Sequence, residues 1–385
     1  MKTAAIFLAA LSALLFVWSY GVYPALIAGL AARRRPSAAP APDGPSPPPP
    51  SVDVIVSAAD EEAVIGPRIA NLLDPKVAGE RPPGILIGCD GCRDGTASAA
   101  RSVGGARARV VEFPERRGKA SVLNDLVRDS SADVLVFTDA NTVFEPGALE
   151  ALRRWFADPL VGAVCGRLEF ETAPGARATP ETAYWDRETR TKEAEGTLGV
   201  CLGANGAIYA ARRDLVAPLA GDTTSMDDFL IPARVARAGR RVVFARDAVA
   251  REDAARDVAS EAARRFRIGI GAGQVLRREL WLYRWPTHPS LSLAFLSRKA
   301  ARWLAPVFLL GAAAAALFVP GLRVAGAAPL AAAALLLASS RMRPALGGIV
   351  GRLYYFAVLN VALALGVSAG LAGYSRPAWS RTARA

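Results

Sequence analysis

Residues 134–141 read Val134-Leu135-Val136-Phe137-Thr138-Asp139-Ala140-Asn141. The apolar run from Val134 to Phe137 predicts a strand buried on both faces. It stops on a carboxylate, and open α/β sheets bind ligands outside the carboxyl ends of their strands. The same pattern recurs upstream. Val52 to Ser57 runs into Asp60-Glu61-Glu62, and Ile85 to Gly88 runs into Asp90-Gly91. Strand ends that repeatedly finish on carboxylate predict one polar crevice suited to a charged ligand.

Working outward, strand and helix signals alternate. A helix is expected over Glu61 to Leu73, another over Thr96 to Val103 and a third over Ala120 to Arg128, with a further strand at Arg109 to Phe113. This alternation argues for an α/β domain whose mostly parallel sheet is covered by helices on both faces. No G-x-G-x-x-G follows the first strand, and no G-x-x-x-x-G-K-[ST] occurs in the chain. Rossmann-type dinucleotide and P-loop sites are therefore disfavoured.

The composition is uneven along the 385 residues. Ala4 to Ala31 is apolar and uncharged, which is long enough to cross a bilayer with some tilt. A cleaved signal peptide is the alternative, but the run exceeds a usual apolar region and ends in Arg33-Arg34-Arg35 without a small-residue cleavage site. Positive charge after the span places residue 36 onward in the cytoplasm. A Pro/Ala/Ser-rich stretch, Pro36 to Ser51, reads as an extended spacer. Trp303 to Val319, Ala327 to Ala338 and Phe356 to Leu371 are again apolar and read as two or three further spans. The expected organisation is an anchor over 1–32, a linker over 33–51, a catalytic domain over 52–284, an interfacial segment over 285–302, spans over 303–374 and a basic tail over 375–385.

The net charge of +12 comes largely from arginines that flank the apolar runs. Anionic lipid head groups explain that placement, and nucleic acid is not an expected partner. Cys89 and Cys92 form a C-x-x-C, but no second pair and no nearby histidine completes a zinc site, His288 being the single histidine. The cysteines read as small residues in a turn.

The motifs resemble glycosyltransferase family 2, with its GT-A fold and mixed, mostly parallel sheet. Val52 to Glu62 resembles that family's opening strand and turn, and Cys89 to Thr96 its S-D-G-S-x-D-G-T. Arg117-Gly118-Lys119 followed by Asn124 resembles R-x-G-K-x-x-x-x-N, and Thr138 to Asn141 takes the place of D-x-D. Gly203 to Tyr209, then Arg212-Arg213, resembles the acceptor-side segment, and Asp227-Asp228 stands where the family has E-D or D-D. The resemblance extends to the membrane-flanked synthases of cellulose, hyaluronan and poly-N-acetylglucosamine.

The resemblance implies roles. Asp60 and Asp90 would meet the base and ribose of a nucleotide-diphospho-sugar, a UDP-sugar first, with Lys119, Asp139 and Arg267 completing the donor site. A helix cap is the alternative for Asp60, and Asp94 reads as a turn or cap residue. Asp139 and Asn141 would hold Mg²⁺ or Mn²⁺, which suit oxygen ligands and diphosphate. Asn141 brings no charge, so metal binding without the nucleotide should be weak. Asp228 would be the general base of an inverting transfer, with Asn205, Gly206 and Asp227 on the acceptor side.

Arg264 to Gly271 aligns with the Q-x-x-R-W of processive synthases, with Arg267 on the arginine, Arg264 replacing glutamine and Ile268 replacing tryptophan. A basic amphipathic helix on the membrane is the other reading of this segment. The expected function is an inverting hexosyltransferase of the plasma (inner) membrane, active on its cytoplasmic face, with a lipid-linked or polysaccharide acceptor. Processive β-polysaccharide synthesis and a non-catalytic membrane subunit of a synthase are the alternatives.

Overall fold

The structure is a computed structural model that describes residues 2–34, 49–171, 180–253, 258–327, 330–331, 334 and 348–376. Most of the expected linker, most of the apolar run 327–338 and the basic tail beyond 376 lie outside the described residues. The chain forms two compact units, divided between Ala254 and Ala255, with residues up to Leu26 joining the second. Residues 258–284, expected in the catalytic domain, thus group with the helical unit.

The first unit is an eight-stranded sheet in the order β3-β2-β1-β4-β7-β6-β8-β5. Its strands are β1 (Val52–Ala58), β2 (Gly84–Asp90), β3 (Ala108–Phe113), β4 (Val134–Thr138), β5 (Val143–Phe144), β6 (Val161–Glu171), β7 (Tyr209–Arg212) and β8 (Arg241–Asp253). β1 lies between β2 and β4, parallel to both, with Val54 opposite Ile85 and Val136. β4 then pairs antiparallel with β7, Phe137 opposite Tyr209. The sheet is mixed, as the family resemblance implied, and the ends of β1, β2 and β4 fall along one edge.

The helices of this unit are α3 (Glu62–Leu73), α4 (Pro75–Ala78), α5 (Thr96–Gly104), α6 (Lys119–Asp129), α7 (Ala148–Arg153), α8 (Pro180–Thr197) and α9 (Asp227–Arg237). Ile65, Ile69 and Leu72 of α3 recur at helical spacing and are fully buried in the core with Val54, Val56, Ile87 and Val136. Each such side chain contributes about 1.5–3 kcal/mol of transfer free energy. The starts of α3 and α5 cap one another. Thr96 Oγ1 accepts from the Glu61 amide at 2.8 Å, Asp94 from the Glu62 amide at 3.1 Å and Glu62 from the Gly95 amide at 3.0 Å. Asp94 is therefore a cap residue, and Asp60 is not.

The second unit is helical. α1 (Lys2–Val17) continues through a π-helical turn, Trp18–Val22, into α2 (Tyr23–Ala32). Later come α10 (Val258–Arg278), α11 (Pro289–Ala294), a π-helical turn at Phe295–Ala300, α12 (Ala301–Ala316) and α13 (Gly348–Leu371). Two stretches among the described residues, Lys2–Ala32 and Tyr354–Leu371, are long and apolar enough to cross a membrane. The span expected at Trp303 to Val319 is α12. It has 16 residues and follows a turn carrying Arg298 and Lys299.

α10 and α13 meet backbone to backbone. A Cβ on Gly269 would lie 2.5 Å from the Leu363 carbonyl and one on Gly273 2.4 Å from that of Val367. On the facing helix, a Cβ on Gly366 would lie 2.2 Å from the Phe266 carbonyl and one on Gly370 2.1 Å from that of Ile270. Both helices thus present a G-x-x-x-G at the contact, the arrangement that lets helices approach closely in apolar surroundings.

Candidate active site

Two loops are tied together where β1 and β2 end. Asp60 adopts φ 58°, a conformation uncommon for a residue with a Cβ. Its carboxylate accepts from the Arg93 amide at 2.7 Å and pairs with Arg116. Asp90 is fully buried, and it accepts from the Arg117 amide at 2.6 Å and the Gly118 amide at 2.9 Å. Gly91 permits this closeness, since a Cβ there would lie 2.7 Å from the Arg116 nitrogen. Asp90, expected at the base or ribose, is here buried on the 116–118 loop, from whose amides it accepts.

What it positions is Lys119, the first residue of α6. The ammonium lies 3.0 Å from Asp139 Oδ1 and 3.2 Å from Asp227 Oδ2. Burial favours the neutral amine, but the negative charges of Asp139, Asp227 and Asp228 outweigh it, and the Lys119 pKa is raised. Asn124, one helical turn further on, holds both backbone polar groups of Leu219 through its amide, each at 2.8 Å. α6 thereby fixes the segment that leads to Asp227.

Asp139 follows β4 and has a buried support. Arg68 of α3 is only 2 % exposed. It donates to Thr138 Oγ1 at 2.9 Å and to Asn71 Oδ1 at 2.6 Å, and it lies over the Phe144 ring at 4.1 Å. Burial lowers its pKa to about 9, against the opposing pull of Asp139 and Glu252. Thr138 in turn donates to the Ala207 carbonyl at 2.7 Å, joining β4 to the 203–208 loop. Asn141 is half-buried in the turn before β5.

The Asp227-Asp228 pair opens α9, and its members face different ways. Asp227 is 5 % exposed and accepts from Tyr209 at 3.1 Å as well as pairing with Lys119. Burial and then the Asp227 charge raise the pKa of Tyr209, whose ring stacks on Phe137 at 4.8 Å. Asp228 is half-buried. A Cβ placed on Gly206 would lie 3.8 Å from Asp228 Oδ2 and 3.8 Å from Asp139 Oδ2. Gly206 is thus the floor between the two carboxylates.

Asn205, expected to face an acceptor, is 4 % exposed. Its amide donates to the Gly166 carbonyl at 2.7 Å and accepts from Lys192 of α8. Asn205 and Asp227 therefore shape the site from beneath, leaving Gly206 and Asp228 on its surface. Lys192 and Arg68 support the site and were not foreseen, and Tyr209, placed in the acceptor-side segment, was given no role of its own.

Among the described residues, Asp60, Cys92 and Asp94 bring ligand-type atoms within 4.8 Å of one another. Both Asp60 and Asp94 are engaged by neighbouring amides. Hydrogen bonding with Cys89 lowers the Cys92 pKa to about 7 and raises that of Cys89. Arg267 lies on α10 in the helical unit, where burial, then Arg264 and Arg376, lower its pKa. Arg264 and Arg265 flank the buried Glu261 at 3.4 Å and 2.9 Å.

The family described as Glycosyltransferase like family 2 matches residues 48–271, more than half of the chain. The chain belongs to that family. The transferase is similar in fold to mannosyltransferase PcManGT from Pyrobaculum calidifontis, solved with GDP-Man and Mn2+. The two are 23% identical with a TM-score of 0.66, over 94% of this chain and 99% of that one. GalNAc-T7, solved with UDP, GalNAc and Mn2+, matches at 11% identity and a TM-score of 0.40 over 53% of this chain and 44% of that one, too distant to carry an argument. No curated protein sequence matches significantly. Nothing among these similarities points to cellulose or hyaluronan synthases.

Proposed function

We propose that this glycosyltransferase moves a hexose from a nucleotide-diphospho-sugar to a hydroxyl of a lipid-linked or glycan acceptor, with inversion, using a divalent cation. The observation that carries this reading is the pair Asp139 Oδ2 and Asp228 Oδ2 facing one space over Gly206. That space fits a cation and a reacting centre, because Gly206 leaves open the volume a side chain would fill. Asp139, with Asn141 beside it, would hold Mg²⁺ or Mn²⁺, which when bound neutralises charge on the departing diphosphate.

Asp228 would take the proton of the acceptor hydroxyl as its oxygen bonds to the anomeric carbon and the bond to diphosphate breaks. Direct displacement with one base inverts the anomeric centre. Asp227 cannot share this role without releasing Lys119 and Tyr209. Although a UDP-sugar was the first expectation, the fold relative bound to GDP-Man makes GDP-mannose the first donor to test.

A membrane site of action is supported by the two long apolar helices and by Arg33 and Arg34 after the first. These charges favour a cytoplasmic catalytic unit, where nucleotide sugars are available. Single or few additions fit better than processive synthesis, since Ile268 stands where an aromatic platform would be.

The test is nucleoside-diphosphate release by the full chain in detergent, with Mn²⁺ and a panel of GDP-, UDP- and dTDP-sugars plus polyprenyl-phosphate and glycan acceptors. Release with one donor, lost in Asp228→Asn, supports the reading. Inactivity with every donor would favour the non-catalytic subunit instead.

A further inference from the structure

We propose that Lys119 competes with the divalent cation for Asp139, so that the protein holds metal tightly only together with a diphosphate. This deepens the metal-dependent reading above and rests on it. Three observations lead here.

Lys119 shares Asp139 and Asp227 at 3.0 Å and 3.2 Å, which is the position of a counter-ion between two carboxylates. The loop that delivers it is fixed: Asp90 is buried on the amides of Arg117 and Gly118, and Asp60 pairs with Arg116. Lys119 is therefore held in the site by its backbone as well as by charge. Finally, Asn141 supplies no second charge beside Asp139.

The consequences follow from charge and distance. Metal–oxygen bonds of Mg²⁺ run about 2.1 Å, so a cation on Asp139 would stand within roughly 5–6 Å of the ammonium. Like charges at that range repel, although water reaching the 36% exposed Asp139 side chain screens part of the repulsion. A cation that took both oxygens of Asp139 would have to displace Lys119 from Oδ1. A diphosphate removes the conflict. Its negative oxygens accept both cations, and Lys119 at the start of α6 can turn from Asp139 to phosphate, where helix amides already favour anions. The lysine is then a diphosphate contact in the loaded site and a metal competitor without it.

The experiment is Mn²⁺ binding to the full chain in detergent, read by the loss of the free Mn²⁺ electron paramagnetic resonance signal, with and without GDP or UDP. Wild type should bind Mn²⁺ alone weakly and at least tenfold more tightly with one of the nucleotides. Lys119→Met, close in shape and uncharged, should bind Mn²⁺ alone at least tenfold more tightly than wild type and lose most of the gain from nucleotide. Lys119→Arg should retain the wild-type pattern.

If Lys119→Met leaves Mn²⁺ affinity unchanged or weaker while wild type still shows the nucleotide gain, the competition is refuted and the metal site stands. If wild type shows no Mn²⁺ binding even with both nucleotides, the competition and the metal-dependent reading both fail. Should Lys119→Met not fold, the wild-type coupling and the Lys119→Gln variant decide the matter by the same criteria.

Discussion

Gly206→Ala separates the site from the fold. The Gly206 backbone lies outside the left-handed region, and an added Cβ would make only ordinary contacts, 3.8 Å from Asp139 Oδ2 and from Asp228 Oδ2. Replacing glycine where alanine fits without strain raises stability by about 0.4–1 kcal/mol, chiefly by restricting the unfolded chain. The melting temperature should therefore stay level or rise slightly. Turnover should not. The methyl group would occupy the volume between Asp139, the proposed metal ligand, and Asp228, the proposed base. A cation or anomeric carbon pushed aside by about 1 Å costs on the order of 10²-fold in rate, or about 2.7 kcal/mol of transition-state stabilisation. Thermal melting and nucleoside-diphosphate release, measured on one preparation, provide the assay. Turnover within threefold of wild type in a folded Gly206→Ala protein would show that the chemistry takes place elsewhere.

Asp228→Asn should fold, bind donor and lose roughly 10²-fold or more in turnover; steady-state kinetics with donor binding by calorimetry would check this. Asp139→Ala should abolish the Mn²⁺-dependent part of donor binding in the same calorimetric titration. Gly370→Ala should part α10 from α13, because its Cβ would meet the Ile270 carbonyl at 2.1 Å, backbone against backbone; a loss of about 1–3 kcal/mol, the usual range for overpacking, should appear as a lower melting temperature in detergent.

Glu261→Gln should destabilise by roughly 1–3 kcal/mol at pH 7, the range for charged hydrogen bonds. Although burial opposes ionisation, Arg264 and Arg265 set the Glu261 pKa below its ordinary 4.5. Its stabilisation is therefore present above that value and is lost as pH falls through the lower folded value. The melting-temperature gap between wild type and Glu261→Gln should close under acid.

The half of the sheet built from β1 to β4 was legible because its strands are mostly apolar runs, as at Val134 to Phe137, and their flanking helices repeat apolar residues at helical spacing. The other half was not. β8 threads Arg246, Asp247 and Arg251 through its length, so its outward residues hide the strand. α8 is a helix that buries Glu188, Thr191, Lys192 and Glu195, with only Ala194 and Gly196 beside them among its described residues. Their spacing is helical, but no apolar stripe marks it, because what it meets is the polar underside of Asn205 and Leu202.

Asp60, Asp90 and Asp139 were visible at strand ends and Asp228 through the family resemblance, and Asp139, Asp228 and Gly206 do come together. Which of them face the solvent was not visible. Asp90 and Asp227 carry the same chemistry as Asp139 and Asp228, and only burial against the Arg117–Gly118 amides, Lys119 and Tyr209 assigns them to support. The glycines of α10 make sense only beside those of α13, far along the chain, so a reading of either segment alone finds just small residues.

The glycine seam also decides where the chain can be shortened. A soluble piece ending near Arg284 would carry α10 without the helix that covers Gly269 and Gly273, leaving a groove lined by bare backbone and apolar side chains open to self-association. A piece ending before Glu252 would release Thr142, whose hydroxyl donates to that carboxylate at 2.8 Å just after Asp139 and Asn141. The workable cut falls in the few residues after Asp253, between the last strand and the first turn of α10.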